Sequence, residues 1–187
     1  MSDPRPRGGS TRRFGRTTLV RKVGGRPAGP LTLWSAPPEP GGRELLRAET
    51  ASVESERNRL LDDLVAALRS AGAVPDKTEE SRVSYALLEA LTNAMEHGNR
   101  RDPAKKIRVE LRAEADRWSC RIEDEGAGFD PAALPCCTEG EGLQSERGRG
   151  VHSMRSLMDE VVYYGRGNGV ILIRKFGPKK SRGRPEA

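Results

Sequence analysis

Glu89 and Asn93 stand four residues apart, and His97 continues the same spacing. On an α-helix such residues stack on one face. The apolar residues Val83, Leu87, Ala90, Leu91 and Ala94 fall on another face. A carboxylate and an amide in one row suit a magnesium–phosphate site, because Mg2+ takes oxygen ligands and keeps several waters. An amide carbonyl holds the ion without adding negative charge that would repel a triphosphate. It also leaves the carboxylate to orient or deprotonate a hydroxyl or water. By itself the row is equally what a solvated helix face looks like.

A second cluster is Asp124-Glu125-Gly126-Ala127-Gly128-Phe129-Asp130. It follows an alternating segment directly, which puts Asp124 at a sheet end. Gly126 and Gly128 let the backbone turn tightly and approach a flat ligand. A buried carboxylate there accepts a hydrogen bond from an exocyclic amine such as that of adenine. The bland alternative is an ordinary Asp-Gly turn.

The third cluster, Gly148-Arg149-Gly150, opens a helix through Val151, Met154, Leu157 and Met158. Free N–H groups at a helix start make an anion site, and glycines permit close approach. Arg147 and Arg149 add positive charge for phosphates. A flexible hinge before a helix is the competing explanation. Gly165-Arg166-Gly167-Asn168-Gly169 looks equally phosphate-friendly, but it lies between two β runs and reads as a hairpin turn. His152 with Cys136 and Cys137 lacks metal spacing and does not assemble four zinc ligands.

The elements that must position these clusters follow from periodicity. Leu60, Leu61, Leu64, Val65 and Leu68 predict a helix that Ser52 or Ser55 caps and Gly72 ends. Asp76 or Thr78 caps a second helix, which carries the first cluster and ends at His97-Gly98-Asn99. Ile107–Arg112 and Trp118–Asp124 alternate as the two strands of a hairpin. Residues 126–147 make a loop too long for a plain connector, hence a candidate binding loop. A helix from about Gly150 to Asp159 follows. Val161–Tyr164 and Val170–Phe176 form a closing hairpin around Gly165–Gly169. The predicted fold is α+β: a two-layer α/β sandwich, its mostly antiparallel sheet of about four strands carrying helices on one face.

Of 187 residues, 35% are hydrophobic and 32% charged, with a net charge of +6. That charge sits at the ends. Residues 1–43 carry nine Arg/Lys against Asp3 and Glu39, and residues 179–187 four against Glu186, which leaves residues 44–178 at −4. Residues 1–43 read as a disordered basic arm and 179–187 as a disordered basic tail. Two patches of the arm, Thr17–Val23 and Leu31–Trp34, are able to add a strand to something. Nucleic-acid contact through the arm is compatible with its arginines but disfavoured by the lack of interleaved aromatics. No apolar run approaches the roughly 18 to 20 residues of a membrane span, and the N-terminus lacks the apolar region of a secretory signal. Three cysteines, Cys120, Cys136 and Cys137, show no disulfide framework, so a reducing cytoplasm is the simplest compartment.

The order of the clusters (Glu-x3-Asn on a helix, Asp-x-Gly-x-Gly after a strand, Gly-x-Gly before a helix) resembles the GHKL ATPase superfamily of gyrase, a heat-shock chaperone, histidine kinases and a mismatch-repair protein. Leu88–Asn99 and Arg149–Val161 look like the corresponding segments of bacterial anti-sigma-factor serine/threonine kinases, and the likeness covers roughly residues 50–176. The resemblance implies a Bergerat-type fold with ATP between the helical layer and the loop 126–150. Asn93 would hold Mg2+ and phosphate, and Glu89 would act as base for a protein hydroxyl. Asp124 would take the adenine amino group, with Gly126 and Gly128 shaping the turn, while Gly148 and Gly150 wrap the phosphates. The expected activity is that of an ATP-dependent serine/threonine kinase acting on an antagonist protein and controlling a sigma factor. The alternative is a non-catalytic ATP-responsive module that sequesters its partner. Whether the domain forms a homodimer is left open.

Overall fold

A computed structural model describes residues 17–19, 22–23, 26–27, 31–37, 41–130 and 146–176. The arm supplies four short strands: β1 (Thr17–Leu19), β2 (Lys22–Val23), β3 (Arg26–Pro27) and β4 (Leu31–Trp34). The domain proper runs β5 (Arg43–Ala51), α1 (Glu54–Ala71), α2 (Lys77–Thr92) and a π-helical turn (Asn93–Gly98). It continues with β6 (Lys106–Ala113), β7 (Arg117–Asp124), α3 (Glu146–Leu157), β8 (Glu160–Tyr164) and β9 (Gly169–Lys175).

The sheet order is β1-β4-β8-β9-β7-β6-β5. Its centre is five antiparallel strands, β8-β9-β7-β6-β5, one more than the sequence suggested. Within the arm read as disordered, both patches singled out as able to add a strand hold one, β1 and β4. Leu31–Trp34 lies parallel to Val161–Tyr164, and Thr17–Leu19 pairs antiparallel with β4. The α+β sandwich with helices on one face stands.

Alternation decides what each strand buries. In β7, Trp118, Cys120, Ile122 and Asp124 are buried while their neighbours are half-exposed. The first three face Leu64, Leu68, Leu87 and Leu91 of α1 and α2 in the main core. Asp124 therefore ends a strand on its apolar face, and backbone periodicity alone turns its carboxylate inward.

The caps are only partly as expected. Asp76 caps α2, accepting from Glu79 N at 2.8 Å, and Gly72 closes α1 in the left-handed conformation (φ 65°). Neither Ser52 nor Ser55 caps α1. Val53 holds the N-cap position, and the Ser52 hydroxyl donates instead to the Met95 carbonyl at 3.5 Å. Glu54 and Glu56 in the first turn meet the positive helix end in place of a cap. Two other boundaries move. The second helix widens into a π turn over its last six residues, and α3 starts at Glu146 rather than Gly150. Gly148 and Gly150 thus lie within the first turns of a helix instead of in a loop before it. The part of the candidate loop at 131–145, with Cys136 and Cys137, lies outside the described residues. Among the described residues no helix is long and apolar enough to cross a membrane.

Candidate functional site

A cleft of about 460 Å³ opens where the end of α2, the C-terminal end of β7, α3 and the β8–β9 turn converge. Its walls are mostly apolar, with Ala90, Ala94, Ile122, Val151 and Met154 among them, and its polar groups are Asn93, His97, Asp124 and Asn168. That mixture suits a flat ligand with a polar edge.

Asp124 is 8% exposed and faces the cleft. Its Oδ1 accepts from Gly126 N at 2.7 Å, closing a tight turn. Its backbone is clamped by Asn168: Asp124 N donates to the Asn168 carbonyl at 2.9 Å, and Asn168 Nδ2 donates to the Asp124 carbonyl at 2.8 Å. Gly128 adopts φ +78°, and a β-carbon there would run into the Arg166 carbonyl. The Asp-x-Gly-x-Gly turn and the 165–168 hairpin tip are therefore in backbone contact. As expected from the sequence, Gly165–Gly169 forms the turn of the β8–β9 hairpin. Gly167, Asn168 and Gly169 line the cleft.

The π turn rearranges the first cluster. A wider turn displaces the Met95 carbonyl, which receives Arg101 N at 2.8 Å as well as Ser52. Asn93 and His97 line the cleft but Glu89 does not. Glu89 lies at the α2–α3 seam, where a β-carbon on Gly150 would stand 2.7 Å from Glu89 Oε2 and 3.3 Å from Asn93 Nδ2. Asn93 thus bridges the seam and the cleft, and Gly150 is small because both side chains meet there.

Asn99, quoted in the sequence only as part of a motif, turns out to hold the site together. It is fully buried, its Oδ1 accepting from Glu125 N at 2.9 Å and its Nδ2 donating to the Lys106 carbonyl at 2.9 Å. These bonds tie the π turn to the β7 turn and to β6. Its only sequence signal was an asparagine one residue past a Gly at a helix end. Glu125 turns away from the cleft, taking Lys106 N at 3.0 Å and Arg108 at 2.8 Å. The Lys106 N–H, then Arg108, hold its carboxyl below the usual carboxylate range.

Of the third cluster, Val151 is buried and lines the cleft, Gly150 backs onto Glu89 and Asn93, and Arg149 is exposed and does not line it. Gly148 is placed only by its backbone, in the first turn of α3, and the Arg147 side chain lies outside the description. No group of three or more metal-ligating side chains occurs among the described residues.

Fold and cleft together define an ATP-binding α+β domain of the Bergerat type. Residues 50–174 match the histidine kinase-like ATPase domain, and the chain belongs to that family, part of the GHKL superfamily that includes anti-sigma-factor kinases. No curated protein is significantly similar to it. The residues present fit the family's nucleotide. Asn93 Nδ2 is buried without a hydrogen-bond partner, Asp124 offers a nearly buried carboxylate in the lining, and Gly150 leaves room beside both Asn93 and Glu89.

Proposed function

We propose that the chain binds ATP with Mg2+ in this cleft and phosphorylates a serine or threonine of an antagonist protein, thereby controlling a sigma factor in the cytoplasm. ATP supplies a γ-phosphoryl group whose transfer needs positioning and charge neutralisation more than covalent help from the protein. Asp124 accepts from the adenine amine. Asn93, with a carbonyl oxygen and no competing side-chain charge, holds the metal and phosphate. Glu89 takes the hydroxyl proton of the acceptor as general base. Val151, Ala90 and Ile122 keep water from the base-binding end.

The observation that carries this reading is the meeting of Glu89 and Asn93 at Gly150. The Glu89 carboxylate stands beside Asn93, whose buried Nδ2 has no hydrogen-bond partner and whose amide would hold the phosphates. Labelled ATP offered with a candidate antagonist tests it, comparing the native chain with Glu89→Ala and Asn93→Ala. Transfer lost in Glu89→Ala with ATP binding retained supports the kinase. ATP binding indifferent to both Asn93→Ala and Asp124→Asn overturns the site.

One observation favours the second reading, a non-catalytic ATP-responsive module. Glu89 lies at the helix seam and not in the cleft wall. On that reading the native chain binds ATP and a partner but transfers no label.

A further inference from the structure

Just past the π turn the chain curls back through Arg100 and Arg101, both at φ 57° and the only non-glycine residues with positive φ among the described residues. The fold requires that conformation, since Asn99 N reaches back to the Ala94 carbonyl and Arg101 N to the Met95 carbonyl, each at 2.8 Å. Left-handed positions at a helix end ordinarily hold glycine or asparagine, because a β-carbon is strained there. Two consecutive arginines are therefore not explained by the backbone they adopt. Nor are they explained by packing: both are exposed, Arg100 makes no ion pair among the described residues, and Arg101 pairs with Glu96 of the turn. Lys105 and Lys106 follow, so residues 100–106 carry four basic groups against Asp102. Asp102 is occupied within the loop, its Oδ1 accepting from Ala104 N at 2.9 Å. The knuckle is also held firmly. Asn99 bonds it to the Lys106 carbonyl and to Glu125 N, and Ser52 N donates to the Lys105 carbonyl at 3.1 Å.

We propose that this knuckle is a docking site for a short acidic segment of a partner protein, whose carboxylates meet Arg100 and Arg101. Strained backbone that carries exposed side chains marks a position where the side chains are used. The guanidinium fork matches a carboxylate with two parallel hydrogen bonds. A loop already fixed by Asn99 and Ser52 loses little freedom when it binds. Charge complementarity sets the sign: the knuckle is a positive island in a domain whose residues 44–178 sum to −4. The same surroundings disfavour nucleic acid, because Glu49, Glu96 and Glu125 flank the knuckle and would repel a longer phosphate backbone. No Phe, Tyr or Trp between residues 93 and 106 is there to stack a base. Nothing in this assignment depends on nucleotide binding or phosphotransfer.

The probe is a dye-labelled octaglutamate, titrated into the full chain by fluorescence anisotropy, with octathymidylate beside it. The basic arm attracts either probe by charge alone, so variants of equal charge are compared. Arg100→Asn with Arg101→Asn is expected to weaken octaglutamate about tenfold, the scale of one hydrogen bond to a charged group. Arg43→Gln with Arg59→Gln removes the same charge from two other exposed positions and leaves the affinity nearly unchanged. The melting temperature of the asparagine pair stays level or rises, because asparagine tolerates left-handed backbone. Glycine at both positions repeats the comparison if the asparagine pair fails to fold. No saturable binding of octaglutamate, an equal loss in the two charge-matched variants, or a melting temperature that falls along with the affinity overturns the assignment. So does a larger loss of octathymidylate than of octaglutamate, which would make the knuckle a nucleic-acid contact.

Discussion

Glu89 Oε2 lies 2.7 Å from the point where Gly150 would carry a β-carbon. The first turns of α3 and the last turn of α2 therefore approach closely at one place, with Asn93 Nδ2 at 3.3 Å from the same point. Glycine in a helix interior ordinarily costs about 0.5–1 kcal/mol relative to alanine. Its presence here exchanges that cost for contact between the helix backbone and two polar side chains.

Gly150→Ala separates the two effects. The methyl group gains helix propensity but displaces the Glu89 carboxylate, so the melting temperature is expected to stay level or rise while ATP affinity falls. Thermal unfolding with and without nucleotide reads both. An unchanged nucleotide-dependent shift in melting temperature would falsify the packing account.

Asp124→Asn keeps the side-chain shape and an oxygen for Gly126 N, but removes charge from the cleft. The native state loses little, whereas ATP binding drops about ten- to a hundredfold, the span of a hydrogen bond to a charged group of about 1.5–3 kcal/mol. Calorimetric titration checks it, with GTP as control because its base presents a carbonyl where adenine presents an amine.

Asn99→Ala leaves Glu125 N–H and the Lys106 carbonyl without their side-chain partner in a buried setting. The expected loss of stability is about 1–3 kcal/mol, measured by denaturant unfolding. Nucleotide affinity should fall with it, because the same two bonds position the π turn and the Asp124 turn. A variant as stable as the native chain would show that Asn99 holds nothing.

Glu80 answers to pH. Arg69, and after it Lys77, hold its carboxyl down from 4.5 to about 2 in the folded chain. A depressed folded value means stability that is present above pH about 4.5 and lost as pH falls toward about 2. Glu80→Gln should therefore be less stable than the native chain near neutrality, with the difference vanishing at the acid end and shrinking with salt. A difference that persists unchanged below pH about 2 would point to packing instead.

These residues differ in how far the sequence announced them. Asp124 was legible because β7 alternates cleanly and its last inward position is the carboxylate. Glu89 and Asn93 were legible as a pair, since four-residue spacing on α2 is a local property. The π turn was not, because a period of 3.6 residues is assumed whenever a helix is read. The widening is sustained by distant partners, Ser52 for the Met95 carbonyl and Asn99 bridging to Lys106 and Glu125. The early start of α3 was hidden for a similar reason. Glycines at 148 and 150 argue locally for a loop, and only the fit of Gly150 against α2 explains a helix there. Asn168 belongs to the site through a hairpin tip that touches Gly128, and through its own bond to Asp124, 44 residues away in the chain.

The parallel pairing of β4 with β8 has a consequence for solubility. The five central strands alone would end at β8, a run of valines and tyrosines whose outer backbone groups would be open to another chain. Leu31–Trp34 occupies that edge and β1 lies outside it. Shielded edges are what keep sheet proteins from templating one another. A protein trimmed to the catalytic-looking segment that begins at β5 would keep every residue of the nucleotide cleft and lose its protection against aggregation.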